Sequence, residues 1–489
     1  MSLNLLISQG ETPIKERYEL DEIFNPRSIA VVGASSDPNK AGYHFFKGLV
    51  ALKFDGTIYP INLDGSDVLG FKGYRNLRNV PGPIDYVIIA IPAHEVPKII
   101  EDCASKGVKV VHIFTSGFSE TGRANRTKLE AQIAEIARKG NVRIIGPNCM
   151  GIYHPKIGLS NFGVFPTKES GPVGFISQSG GNTGDFARLG LVRGLRFSKL
   201  VSYGNASDLD STDFMEYFAW DSETKIICAY IEGVKDGRRF VNVLKEVARL
   251  KPVIILKGGL TEAGTRAVSS HTGVLAGSDA IWKALFHQTG TIQVESLREM
   301  TDLALAFSHM SCPKGRRAGI VGIGGGASVA AADFCEKAGL MVSRFMEGTI
   351  AGLEKITPVA GTSVKNPVDS PVGRRVAVPE YEETLRLVAS DPQIDFLIVH
   401  LTIDWRIRTS EDRKNLQDLT EVLTRIKKSL GKPVVAVLRS SQSFQSWQVF
   451  LEEQNRYLEG GIPVYLTLED AANAVSKLIQ YYEFREKVT

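Results

Sequence analysis

Twelve short apolar runs punctuate the chain, among them IAVVGAS at 29–35, YVIIAIP at 86–92, PVGFISQS at 172–179, KIICAYIEG at 225–233, AGIVGIGGG at 318–326 and DFLIVHLTI at 395–403. These runs do not alternate polar with apolar positions, so a strand formed there is buried on both faces, as in a parallel sheet covered by helices. Between the runs lie amphipathic stretches of helical length, at 94–107, 127–139, 237–250, 327–338 and 412–430. Strand and helix alternate throughout, which predicts doubly wound α/β domains with ligands beyond the carboxyl ends of the strands.

Breaks in this pattern divide the chain. The first five runs end near Met150, residues 151–170 are punctuated by Gly and Pro before a strand expected from Pro172, and a polar stretch, SHMSCPKGRR, covers 308–317. We expect an N-terminal segment at 1–20 and domains at 21–150, 151–311 and 312–489, all on one construction plan. Residues 357–379, with four prolines and little periodicity, read as a loop or insertion inside the third domain.

Composition narrows the function. Charged residues make up 23% and hydrophobic residues 43% of the 489, and the net charge of +4 is spread without a block of like charge. A disordered chain is excluded, and no nucleic-acid partner or membrane surface is expected. Five scattered cysteines with no CxxC pair fit a reducing cytoplasm, and no apolar run reaches the roughly 18 residues of a membrane span.

The candidate chemistry lies at strand ends. The turn VVGASSDPNKAG, residues 31–42, sets Gly33, Ser35 and Ser36 before a helix expected near Gly42, a combination suited to an anion. Without GK[ST] it is no Walker loop, and its spacing departs from GxGxxG. AIPAH at 90–94, FTSGF at 114–118 and GPNCMG at 146–151 place small or hydroxyl residues along the same sheet edge, where an extended ligand fits. Cys149 has no identifiable base beside it and reads as a buried thiol rather than a nucleophile.

In the second domain FISQSGGNTG, residues 175–184, repeats the anion-binding construction with Ser179, Gly180 and Gly181. VSSHTGVLAGS, residues 268–278, reads as a small-residue loop around His271. Such a histidine can be a metal ligand, a base, a phosphoryl acceptor or a plain polar residue. The eight histidines show no HxxxH or HxH spacing, so no metal site is expected. Glu232 follows an apolar strand, where burial is costly unless it is paired; a carboxylate of this kind can orient an imidazole.

Seven ordered segments, FNPRSIAVVGAS at 24–35, GPNCMG at 146–151, ISQSGG at 176–181, YIEGVKDGRRF at 230–240, SSHTGVLAGS at 269–278, KNPVD at 365–369 and GIPVY at 461–465, resemble the α subunit of the NDP-forming acyl-CoA synthetases. Succinyl-CoA synthetase is a more distant resemblance. The resemblance implies a Rossmann-like CoA-binding domain followed by two flavodoxin-like domains, and a reversible reaction: acyl-CoA, ADP and phosphate to carboxylic acid, CoA and ATP. It implies His271 as a phosphohistidine, Glu232 as the carboxylate orienting it, and Ser179, Gly180 and Gly181 around the phosphoryl group. Gly33, Ser35, Ser36, Lys40, Asn62 and Pro92 would line the CoA site. The chain ends after its third domain without the family's ATP-grasp module. The nucleotide, ADP or ATP with Mg2+, is therefore expected on a separate ATP-grasp β subunit, in a heterotetramer or similar assembly. The acyl pocket is expected in loops near 115–120 and 146–165, with acetate as the default acid. A CoA-binding regulatory protein on the same scaffold is the alternative. A nicotinamide-dependent oxidoreductase is disfavoured by the absent GxGxxG.

Overall fold

The computed structural model describes residues 20–160, 167–271, 278–322, 324–357, 363–369 and 377–488, with only the backbone at 269–271 and 488. The chain forms two compact units, one comprising residues up to Arg188 and Arg196–Leu297, the other Leu189–Leu195 and everything from Arg298.

The first unit contains two sheets. Five parallel strands, β1 (Ser28–Val32), β2 (Thr57–Ile61), β3 (Tyr86–Ile89), β4 (Val110–Ile113) and β5 (Arg143–Ile145), lie in the order β2-β1-β3-β4-β5. Every residue of β1, β3 and β4 is buried, as the unbroken apolar runs require. Val32 pairs with Ile61 on one side and Ile89 on the other, so the first three strands end level with one another. The second sheet holds β6 (Gly151–Tyr153), β7 (Ser170–Ser177), β8 (Phe197–Ser202), β9 (Ile226–Ile231), β10 (Val253–Lys257) and β11 (Ile292–Val294), in the order β11-β10-β9-β7-β8-β6. Only β6 is antiparallel among its pairings.

In the second unit β12 (Ala318–Gly322), β13 (Val368–Asp369), β14 (Phe396–Thr402), β15 (Val434–Arg439) and β16 (Val464–Tyr465) form a parallel sheet in the order β13-β12-β14-β15-β16. Setting β6 aside, all three sheets place the first strand between the second and the third. The single construction plan expected from the pattern is thus one strand order used three times. Each sheet reverses winding direction between its first and third strands, where a crevice opens for ligands.

The helix Gly237–Leu250 shows how the amphipathic stretches become cover for these sheets. Phe240, Val243, Leu244, Val247 and Ala248 recur at helical spacing and are buried, and each large side chain contributes about 1.5–3 kcal/mol. Asp236 caps the start by accepting a hydrogen bond from the Arg239 N–H at 3.0 Å. Among the described residues no helix is long and apolar enough to cross a membrane.

Three local expectations change. The stretch 357–379 is not all loop: β13 lies within it and a helix, Val378–Ser390, starts before its end. The Asn366 side chain supports that strand, accepting from the Ile320 N–H and donating to the Ala318 and Ser343 carbonyls. The neighbouring 358–362 and 370–376 lie outside the described residues. Residues 262–271, whose last members read as loop, form a helix, Glu262–His271. Thr261 Oγ1 accepts the Gly264 N–H at 3.0 Å and Arg266 pairs with Glu262 at 2.6 Å, so capping and a charge pair one turn apart outweigh the poor propensities of Gly264, Thr265 and the serines. The strand expected from Pro172 starts at Ser170.

Candidate functional site

At the first sheet's crevice the chain leaves β1 through Gly33, whose φ is +91°. A Cβ on Gly33 would stand 2.3 Å from the Ala90 carbonyl oxygen at the end of β3, and one on Gly42 only 1.9 Å from the Gly33 carbonyl oxygen. Only glycine lets these three backbones approach so closely. The Gly33 and Ala34 N–H groups bond to the Ile61 carbonyl at 2.9 and 3.1 Å, tying the turn to the end of β2. Ser35 Oγ accepts the Asp37 N–H at 3.1 Å, and Ser36 Oγ reaches the Asp67 carbonyl at 3.5 Å. The helix Ala41–Ala51 that follows begins at exposed Lys40 with no side-chain cap and no acidic residue in its first turn, which favours a negatively charged ligand there. Asn62, just beyond β2, donates through Nδ2 to the Ser66 carbonyl at 2.9 Å, while its buried Oδ1 has no hydrogen-bond partner among the described residues. Pro92 is exposed where the chain leaves β3. The turn residues, Asn62 and Pro92 thus follow the level ends of β1, β2 and β3, with Lys40 at the start of the helix after β1.

The second sheet repeats the arrangement. Ser177 Oγ donates to the Ser179 carbonyl at 2.7 Å and accepts the Ser179 N–H at 3.1 Å, closing a tight turn at the end of β7. Ser179 Oγ accepts the Asn182 N–H at 3.3 Å, which starts the helix Gly180–Val192 with Gly180 and exposed Gly181 at its tip. A Cβ on Gly180 would lie 2.6 Å from Met150 Cγ, so the GPNCMG segment of the first sheet packs directly on this tip.

Glu232 follows β9, the strand beside β7, and is 5% exposed. Gln178 Oε1 accepts its N–H at 2.8 Å and that of Gly233 at 3.2 Å; Lys257 Nζ donates to its carbonyl at 2.8 Å; Tyr230 donates its hydroxyl to Glu232 Oε1 at 3.2 Å. Burial, reinforced by the neighbouring carboxylate, pushes the Tyr230 phenol up to about 12, so it stays a neutral donor. Burial pulls the Lys257 ammonium down to about 8, against the opposing pull of Glu232. Gln178, Tyr230 and Lys257 were missed by sequence reasoning. A charged residue closing an apolar strand, the signal that singled out Glu232, applies equally to Lys257.

His271 is the last residue of the helix Glu262–His271, and its side chain lies outside the described residues, as do residues 272–277. That helix packs on the short turn Ser119–Thr121. Glu120 pins the turn by accepting the Phe118 N–H at 3.1 Å and the Asn205 amide at 2.6 Å; the same amide reaches Glu130 at 2.9 Å. The 115–120 loop therefore borders the helix carrying His271 and the 146–150 loop the helix tip at Gly180, whereas residues 161–166 of the latter expected loop lie outside the described residues. Cys149 is buried and its thiol is pushed far above its usual range by desolvation, which suits a packed thiol rather than a nucleophile.

The third sheet carries a further glycine turn that was not singled out. Asp369 Oδ1 accepts the Gly324 N–H at 2.7 Å where the helix Gly325–Lys337 begins. A cavity of about 520 Å³ opens there, lined by Gly325, Ser328, Asp333, Ser363 and Asp369 among others.

Glycine turns leading into helices thus close the first strands of two doubly wound sheets, the second beside a buried carboxylate, and two family models match the corresponding segments. Residues 27–155 match the CoA binding domain and residues 170–307 the succinyl-CoA ligase like flavodoxin domain. Over 462 residues the chain is 40% identical to the alpha subunit of ADP-forming acetate–CoA ligase II of Pyrococcus furiosus, covering 94% of this chain and 97% of that one. It is 38% identical to the ADP-forming acetate–CoA ligase of Methanocaldococcus jannaschii, covering 95% of this chain and 63% of that longer one. It superposes on the dinucleotide forming acetyl-coenzyme A synthetase 1 of Ca. Korarchaeum cryptofilum, solved with phosphate and ADP, with a TM-score of 0.83 at 32% identity over 96% of this chain and 98% of that chain. The protein belongs to the family of ADP-forming acetate–CoA ligases, with the alpha subunits among its relatives.

Proposed function

We propose that this protein is the CoA-binding chain of an ADP-forming acyl-CoA synthetase and carries a phosphoryl group on His271. Phosphate displaces CoA from the acyl thioester, giving an acyl phosphate. An imidazole nitrogen of His271 then takes the phosphoryl group, releasing the carboxylate, and passes it to ADP. Glu232 orients the ring and stabilises its charged form, and the Ser179–Gly181 tip receives the phosphoryl group through main-chain N–H groups and the helix dipole. CoA lies along the first crevice against Gly33, Ser35, Ser36, Lys40, Asn62 and Pro92. The observation carrying this reading is the buried Glu232, held from both sides beside a glycine helix tip that the GPNCMG segment also reaches.

ADP or ATP, with its Mg2+, is held by an ATP-grasp β subunit in a heterotetramer or similar assembly, and the complex works in the cytoplasm. The Pyrococcus relative is named as an alpha subunit, and the Methanocaldococcus relative exceeds this chain in length, both in keeping with a second component. Acetate is the first acid to test. The reconstituted pair is expected to make ATP from acetyl-CoA, ADP and phosphate in a panel of acyl-CoA substrates; no ATP from any of them would sink the reading.

Two variants probe the two crevices separately. Glu232→Gln is expected to slow phosphorylation of the chain by about tenfold or more while CoA affinity stays unchanged, because the charge-assisted bond that is lost belongs to the second sheet and the CoA turn to the first. An unaltered phosphorylation rate counts against its role. Asn62→Ala is expected to weaken CoA binding by about 1 kcal/mol in a calorimetric titration, since it removes the unpaired acceptor; equal affinity would remove Asn62 from the site.

A further inference from the structure

Lys257 ends β10 level with Ile231 of β9, one residue before Glu232, and is 4% exposed. A buried ammonium is costly, and an apolar residue of similar length would close a strand end more cheaply, so its presence calls for a task. Its hydrogen bonds run to main-chain carbonyls, those of Glu232 and Gly258, and its charge lies 5.0 Å from the centre of the Trp282 ring. From the opposite side Gln178 Oε1 accepts the Glu232 and Gly233 N–H groups. The peptide units on both sides of the Glu232 Cα are therefore gripped, one set of bonds coming from β7's turn and the other from β10. Gly258 completes the arrangement: a Cβ there would stand 2.7 Å from the Tyr230 hydroxyl, which is the donor to the Glu232 carboxylate.

We infer that Lys257 is a positioning residue for phosphoryl transfer, its buried ammonium fixing the Glu232 main chain and thereby aiming the carboxylate. The inference rests on the reading above, in which that carboxylate orients the phosphoryl-accepting imidazole. Lys257 acts through Glu232 and touches no reacting atom itself. Its loss lowers the rate of the phosphoryl step and leaves CoA binding at the other sheet alone.

The test uses the chain assembled with its nucleotide-binding partner, with ATP radiolabelled at the γ-phosphate as the probe. Lys257→Met removes the ammonium while keeping most of the apolar stem. It is expected to slow labelling about tenfold or more and lower kcat without raising KM for acyl-CoA, while the CoA dissociation constant stays within about twofold; Lys257→Arg is expected to recover part of the rate. A purely structural lysine would lower stability and CoA affinity together without this separation. A labelled wild type with Lys257→Met labelled equally fast overturns the inference alone, whereas a wild type that takes up no label overturns the phosphohistidine reading beneath it. Should Lys257→Met fail to fold, Lys257→Gln decides, because its amide is uncharged and reaches less far; a wild-type labelling rate there is equally fatal.

Discussion

His271→Ala is expected to abolish labelling of the chain by γ-labelled ATP in the presence of its partner, and with it all synthesis of ATP from acetyl-CoA. The expected label is acid-labile and base-stable, as a phosphoramidate is and a phosphoserine or an acyl phosphate is not. Alanine offers no nitrogen to carry the phosphoryl group, and a serine or carboxylate carrier would give a label of different acid and base lability. Loss should therefore be complete, unlike the partial loss expected for Glu232→Gln, which leaves the nitrogen in place. CoA binding should be untouched, because the Gly33 turn and Asn62 belong to the other sheet of the unit. Full labelling of His271→Ala would place the carrier elsewhere.

Gly42→Ala is expected to eliminate measurable CoA binding and lower the melting temperature. Alanine inside a helix normally gains about 1 kcal/mol over glycine, so propensity alone predicts stabilisation. Here the added carbon would meet the Gly33 carbonyl oxygen at 1.9 Å and its carbonyl carbon at 2.6 Å, backbone against backbone, with no flexible side chain to yield. Overpacking of this kind costs about 1–3 kcal/mol or more, which outweighs the propensity gain and displaces the turn that shapes the crevice. Calorimetric titration with CoA and a thermal melt measure both effects. Labelling of the chain from ATP serves as the control, since the proposed phosphoryl site at Ser179–Gly181 lies on the second sheet. An alanine variant binding CoA with wild-type affinity would show that the turn does not shape the CoA site.

Much of the architecture is written locally. Short unbroken apolar runs such as Ile29–Val32 and Ile226–Ile231, rich in β-branched residues and bounded by glycines, read as strands covered on both faces, and the glycines after them mark turns into helices, because burial pattern and backbone freedom are properties of a few consecutive residues. The strand-end positions of Gly33, Ser179, Gly180 and Glu232 were legible for that reason. Local composition misled at Ser269–His271, where small residues suggested a loop and a capped helix start upstream carried the helix through them. What holds Glu232 was not legible: Gln178 lies 54 residues before it and Lys257 25 after, and they meet it only because β7, β9 and β10 are neighbours. The same apolar runs could be threaded in other strand orders with identical periodicity. Which strands become neighbours, and hence which distant side chains converge on one carboxylate, is settled by packing across the whole sheet and leaves no trace in any short stretch of residues.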